Sequence, residues 1–125
     1  MLALTLHVLD EALTGFLPFY NELVLDLRRS LGFFPAPVFT FGSWLGGLIV
    51  VLAAGFLLTP VVASGGRATR MVCIALGLLM IGNGLGHLAG SLYAGYLLPG
   101  VTSAPLVLAA ACYLSWLAWK DGKTG

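Results

Sequence analysis

Charged residues are scarce in this chain of 125 residues: they make up 9% of it, against 59% hydrophobic residues. Soluble domains carry roughly a quarter charged residues, so this chain has too little polar material to cover a water-soluble globule. No charged residue occurs between Arg29 and Arg67. Between Arg70 and Lys120, only His87 can carry a charge near neutral pH. A spanning helix needs about 20 apolar residues, so the first gap holds one span and the second holds two. The sequence predicts a polytopic membrane protein.

Other features are also missing, and each absence removes support for a class of function. The two cysteines, Cys73 and Cys112, have no CxxC spacing, so we expect small core residues rather than a disulfide or a metal site. A formal net charge of +1 gives no basis for a nucleic-acid partner. No GxSxG, glycine-rich phosphate loop or HExxH motif supports a serine hydrolase, a nucleotide-binding protein or a zincin. The amino terminus lacks a basic segment, so no cleavable signal peptide is expected.

Prolines and glycines divide the chain into four predicted helices, which form a single domain over residues 1–125. The predicted helices cover residues 2–27, 38–58, 69–96 and 102–119, with a bend or break near Gly15 and Pro18 and a turn at Pro99–Gly100. The expected fold is an all-α membrane bundle of about four helices. The last three are clear spans, and the N-terminal helix spans the membrane, re-enters it or lies at the interface.

Lysines and arginines are distributed unevenly over the predicted loops. If all four helices span, Arg28 and Arg29 lie on one side of the membrane, and the other side holds the amino terminus with Arg67, Arg70, Lys120 and Lys123. Because positive residues favour the cytoplasmic side, we expect both termini in the cytoplasm.

The N-terminal helix carries four of the five carboxylates of the chain. At about 100° per residue, one third of its circumference holds His7, Asp10, Glu11, Thr14, Asn21 and Glu22. Such a stripe is typical of an amphipathic helix at a membrane surface, but those helices favour Lys and Arg on the polar face. The first fourteen residues contain neither. The alternative is a stripe turned inward, toward a partner group.

The third predicted helix supplies that partner. Asn83 and His87 are four residues apart and share a face. Beside them Gly82, Gly86 and Gly90 recur at every fourth position, which predicts the close approach of another helix. Hydrogen bonding between helices would by itself explain the pair. Ionisable groups are costly inside a bilayer, however, so His87 and the acids near His7 are functional candidates.

Three short motifs follow one another along the chain: HVLDE at 7–11, NGLGH at 83–87 and YLLPGVT at 96–102. In their order and spacing they resemble the HXXEE-domain proteins, small bacterial integral membrane proteins with NxxxH and YxPGxxT motifs after the histidine–acid motif. Asp10 departs from the pattern by replacing the first glutamate. The third motif also has one residue more before its proline and one fewer before its threonine. The resemblance implies an enzyme of the bacterial inner membrane but does not name its reaction.

Two imidazoles and adjacent carboxylates form a complete ligand set for Zn²⁺ or for non-haem Fe(II). We assign ligand roles to His7, Glu11 and His87. Asp10 is then a supporting partner or general base, and Asn83 orients substrate or water. Without a metal, these five catalytic candidates can perform acid–base chemistry. Hydrolytic, oxidative or acid–base chemistry would each suit a lipid-like or apolar substrate within the membrane lipids.

Two questions stay open at this level. The chain can instead be a non-catalytic accessory or assembly subunit of a larger membrane complex, or a small proton or ion pathway; with either role, its partners can be a larger complex or further copies of itself. The depth of the site is the second question. At 1.5 Å per residue, Glu11 lies about 15 Å along its helix and His87 about 27 Å along its own. A shared site requires the N-terminal helix to start deeper or to be re-entrant, or the third helix to start outside the bilayer.

Overall fold

Six α-helices make up the computed structural model, which describes residues 1–121. They are α1 (Leu2–Thr14), α2 (Phe16–Leu31), α3 (Phe41–Leu57), α4 (Thr59–Ala63), α5 (Arg67–Ala94) and α6 (Ala104–Asp121). No strand occurs among these residues, so the all-α prediction is confirmed. The prediction of four helices is corrected in two places. The N-terminal helix is divided into α1 and α2, and the connection between the second and third predicted helices contains the short α4.

The division of the N-terminal helix lies at Gly15. This residue has φ +81°, a left-handed conformation that glycine adopts without steric cost. Pro18 follows in the first turn of α2, where its missing N–H leaves no helical hydrogen bond unmade. The axes of α1 and α2 differ by 77°. The break expected near Gly15 and Pro18 is confirmed, and it removes Asn21 and Glu22 from the polar face of α1.

Helices α5 and α6 form an antiparallel hairpin whose backbones approach closely at two glycines. A Cβ atom at Gly84 would lie 3.2 Å from the carbonyl oxygen of Ala104, and one at Gly77 would lie 3.2 Å from that of Ala111. The sequence predicts the close approach of another helix at Gly82, Gly86 and Gly90, and this prediction is wrong. Gly82 and Gly86 have no other residue against them, and Gly90 meets only the Leu98 side chain. Two glycines seven residues apart therefore form the helix–helix contact.

Helix α1 runs parallel to α5 and is aligned with it at their carboxyl ends. The Thr14 hydroxyl, at the end of α1, accepts a hydrogen bond from the Gly100 backbone N–H in the α5–α6 turn (3.1 Å). Glu11 lies three residues before the end of α1, and His87 lies seven residues before the end of α5. At 1.5 Å per residue, these positions are about 5 Å and 10 Å from the shared end. The apparent difference in depth disappears because α1 starts deeper than α5.

One helix, α5, is long and apolar enough to cross a membrane by itself. The bent pair α1–α2 passes the same criteria when it is taken together, whereas α3 and residues 104–120 of α6 are shorter apolar helices. Three independent spans were predicted, and length and composition support one of them in the part of the chain that the structure describes.

The two cysteines differ in their surroundings. Cys73 is buried and Cys112 is exposed, and both are free thiols. The prediction of small core residues is confirmed for Cys73 and wrong for Cys112. Lys123, which was used above for orientation, lies outside the described residues.

Candidate metal centre

Three ligating side chains from α1 and α5 meet beside the α5–α6 turn. One carboxylate oxygen of Glu11 (Oε1) lies 3.1 Å from Nε2 of His87 and 3.5 Å from Nε2 of His7. Each of the three residues offers a ligand atom, and these atoms all lie within 4.8 Å of one another. The exposed fractions are 1% for His7, 5% for Glu11 and 7% for His87. Such a group can hold a metal ion.

The two distances from Glu11 are compatible with tetrahedral coordination. Two ligand atoms at 2.0–2.1 Å from a zinc ion lie about 3.4 Å apart, which is close to both distances measured from Glu11. A third ligand completes one face of the tetrahedron and leaves the fourth position for water or substrate. His7 and Glu11 come from successive turns of α1, so the local helix fixes two ligands before α5 contributes the third.

Asp10 supports His7 through a serine that the sequence analysis did not identify. Oδ2 of Asp10 accepts hydrogen bonds from the Ser103 hydroxyl (2.7 Å), the Ser103 backbone N–H (2.9 Å) and the Thr102 hydroxyl (2.5 Å). The Ser103 hydroxyl also lies 2.7 Å from Nδ1 of His7. Because its only proton points to Asp10, this hydroxyl accepts from Nδ1–H of His7. In a neutral His7, Nε2 then presents its lone pair to the cluster.

The Asn83 side chain contacts Nε2 of His7, the nitrogen that faces the cluster. Its side-chain oxygen is 2.7 Å from Nε2. Nδ1–H of His7 already donates to Ser103. The contact with Asn83 therefore requires a doubly protonated His7, or a carboxamide of Asn83 that is turned so that its NH₂ group donates to Nε2. If an ion occupied Nε2 instead, the carboxamide would lie beside the ion, where it can hydrogen-bond to a bound water. This position fits the orienting role assigned to Asn83.

The α5–α6 turn covers the cluster at Gly100. This residue has φ +81°, and a Cβ atom there would lie 2.7 Å from Cε1 of His87 and 3.0 Å from Cγ of Glu11. Only glycine permits both the turn and its contact with the two ligands. The turn is held further by the Leu98 backbone N–H, which donates to the Ser91 hydroxyl (3.0 Å).

The structure brings all five predicted site residues into one cluster: His7, Asp10, Glu11, Asn83 and His87. It separates Asn21 and Glu22, the last two residues of the predicted stripe, from them. The Asn21 side chain instead donates to the Phe39 carbonyl and accepts from the Phe39 backbone N–H, and Glu22 is exposed. Ser103 could have been suspected from one signal: two hydroxyl residues, Thr102 and Ser103, follow Pro99–Gly100 after Val101, although such residues are usually helix caps.

No family model, curated protein or solved structure matches this chain. The resemblance to the HXXEE-domain proteins therefore stays a prediction, which rests on the three motifs alone. The structure adds that parts of all three motifs lie together, since Thr102 and Gly100 of the third motif contact Asp10 and His87.

We expect Ser103→Ala to weaken metal binding by roughly 10–100-fold, the usual effect of losing a hydrogen-bond partner of a metal ligand. Alanine leaves Nδ1 of His7 without its acceptor, so the ring loses its fixed orientation. Thr102→Ala is the matched control, because Thr102 also bonds to Asp10 but does not contact His7. Competition between the purified variants and a chelator measures the affinity. Equal weakening in both variants would show that the Ser103–His7 contact has no special effect.

Proposed function

We propose that this chain is a membrane-embedded, metal-dependent enzyme that acts on a lipid-like substrate. The observation that carries the proposal is the distribution of polar and apolar side chains, which is the reverse of that in a water-soluble protein. The ligating groups of His7, Glu11 and His87 are buried, whereas many large apolar side chains point outward, among them Val50, Leu79 and Leu92. A water-soluble protein of this size would bury such side chains, so lipid is the solvent that fits this surface.

The arrangement of the helices fits a bilayer with the cluster nearer to one face. In this proposal α3, α5 and α6 cross the membrane in alternating directions, and α1, with 13 residues, enters it beside α5 without spanning it alone. Helix α5 has 28 residues, about 42 Å in length, and therefore extends beyond the hydrocarbon core. Helix α2 turns 77° away from α1 and carries Arg28 and Arg29, as expected for a helix at the interface. The cluster lies at this end of the bundle.

The opposite end of the bundle carries Arg67, Arg70 and Lys120. By the positive-inside rule, that end faces the cytoplasm together with the end of α6. The cluster would then lie in the outer half of the inner membrane, about 10 Å from the end of α5.

The ligand set of two imidazoles and one carboxylate suits Zn²⁺ or Fe(II). A bound ion with an open position can activate water or another small co-reactant, and hydrolytic and oxidative chemistry are both consistent with the set. The residues of the chain have separate tasks. His7, Glu11 and His87 hold the ion, Asp10 and Ser103 fix the tautomer of His7, and Asn83 orients the group in the open position.

An aromatic groove next to the cluster supports an apolar substrate. It has a volume of about 410 Å³, lies between α2 and α3, and is lined mainly by apolar and aromatic residues, including Phe16, Tyr20, Phe39 and Trp44. The Phe16 ring also lies 5.3 Å from the His87 ring, centre to centre. One side chain therefore contacts both the groove and a metal ligand, so an acyl chain in the groove would end beside the cluster.

Comparison of membrane lipids tests the proposed activity. Lipids are extracted from cells that express the wild type, Glu11→Gln or Glu22→Gln, and they are analysed by mass spectrometry. Glu11→Gln removes the anionic ligand at nearly constant volume, whereas Glu22→Gln changes an exposed carboxylate away from the cluster. We expect a lipid product in the wild type and in Glu22→Gln but not in Glu11→Gln. Identical lipids in all three, with Glu11→Gln changing only the stability or assembly of the protein, would favour an accessory subunit.

A further inference from the structure

A second groove lies at the other end of the bundle, between the start of α5 and the end of α6. Its volume is about 700 Å³. Its walls are apolar and include Cys73, Leu114 and Leu117, and its rim carries Arg67 and Arg70. The groove and the candidate metal centre lie at different ends of α5. Arg67 is the first residue of that helix, and His87 lies 20 positions further on.

The rim of this groove carries the positive charges of Arg67 and Arg70, and no described lining residue carries a negative charge that would offset them. Arg67 and Arg70 lie one turn apart on α5 and share a face. Neither guanidinium makes a hydrogen bond or an ion pair with a side chain in the part of the chain that the structure describes. Among the side chains that the structure describes, none that lines the groove is acidic, and the sequence contains no Asp or Glu between Asp26 and Asp121.

The start of α5 adds a second source of positive potential at the rim. Gly66 precedes the helix and has no side chain that could accept from the free backbone N–H groups of the first turn. No acidic residue lies in that turn. Two guanidinium groups above an apolar groove therefore match a ligand that combines an anionic head with a hydrocarbon chain.

We infer that this groove binds an anionic phospholipid from the cytoplasmic leaflet. Its phosphate is held by Arg67 and Arg70, and one acyl chain lies along Cys73, Leu114 and Leu117. Guanidinium groups suit this task because they bind phosphate oxygens through two parallel hydrogen bonds. The inference rests on the membrane embedding in the proposed function and is independent of the metal centre. The groove is a structural lipid site and takes no part in the reaction.

Titration with short-chain lipids tests the site. The detergent-purified protein is titrated with dioctanoyl phosphatidylglycerol, with the zwitterionic dioctanoyl phosphatidylcholine, or with inorganic phosphate, and the melting temperature is recorded. We expect phosphatidylglycerol to raise the melting temperature more than the other two ligands do. Arg67→Gln and Arg70→Gln should each weaken its apparent affinity by about tenfold, the loss expected for one charged hydrogen-bonding group. Arg70→Lys should lie between Arg70→Gln and the wild type, since it keeps the charge but loses the paired geometry.

Arg29→Gln is the matched control. Arg29 is an exposed arginine that pairs with Asp26 (2.9 Å) on α2, at the other end of the bundle. Equal shifts with both lipids, a full shift with phosphate alone, or equal weakening in Arg29→Gln would each overturn the site. Failure of the metal centre would leave the result unchanged, because no variant touches the cluster. A chain that did not embed in bilayers would be recovered in the soluble fraction, which separates failure of the embedding from failure of the site.

Discussion

We expect the wild-type protein to retain a metal ion on purification, and alanine at either His7 or His87 to remove it. Each substitution leaves two of the three ligands, and the loss of affinity should exceed the roughly 10–100-fold produced by losing a supporting hydrogen bond. Elemental analysis of detergent-purified protein measures the effect, with zinc or iron near stoichiometric in the wild type. The identity of the retained element would also separate the two candidate ions.

Asn83→Ala is the control for this experiment. Asn83 contacts the same nitrogen of His7 as the proposed ion but is not one of the three ligands, so its variant should retain metal. Retention of metal in both histidine variants would place the ion elsewhere. A folded wild type that takes up neither zinc nor iron when they are supplied would leave only metal-free acid–base chemistry for the cluster.

Gly100→Ala should damage both the fold and the metal centre. A left-handed conformation costs a residue with a Cβ atom about 1–2 kcal/mol. At Gly100 the added atom would also lie 2.7 Å from Cε1 of His87, so the turn or the ligand must move. Overpacking of this kind costs a further 1–3 kcal/mol, roughly. We expect a lower free energy of unfolding and a loss of bound metal.

Gly95→Ala separates the cost of the left-handed conformation from the cost of overpacking. Gly95 also has a left-handed backbone, with φ +76°, but a Cβ atom there would meet no other residue. Its substitution should carry only the conformational cost and leave the metal content unchanged. Equilibrium unfolding in detergent and elemental analysis of both variants provide the comparison. If the two variants lost stability equally and both retained metal, the turn would not be in contact with the ligands as described.

The local part of the site could be predicted from the sequence because helical periodicity is a local property. His7 and Glu11 share a face of α1, and Asn83 and His87 share a face of α5, whichever way the helices pack. The scarcity of charge made the few ionisable groups conspicuous. The same reasoning predicted the break at Gly15, since a glycine followed closely by a proline interrupts a helix.

The relations between helices could not be predicted in this way. The alignment of α1 and α5 at their carboxyl ends depends on the contact between Thr14 and Gly100, which are far apart in the sequence. The glycines that contact α6 also depend on the rotation of α5 about its axis. That rotation selects Gly77 and Gly84 over the more regular series at 82, 86 and 90. Ser103 escaped notice because its contacts with Asp10 and His7 exist only after α6 packs against α1.

X-ray absorption spectroscopy of the metal in purified wild-type protein tests the proposed centre most directly. If His7, Glu11 and His87 hold the ion, the spectrum will show two imidazole nitrogens and carboxylate oxygen at about 2.0–2.2 Å, with water in the open position. A shell of sulfur ligands, or one of oxygen atoms without imidazole, would contradict the assignment.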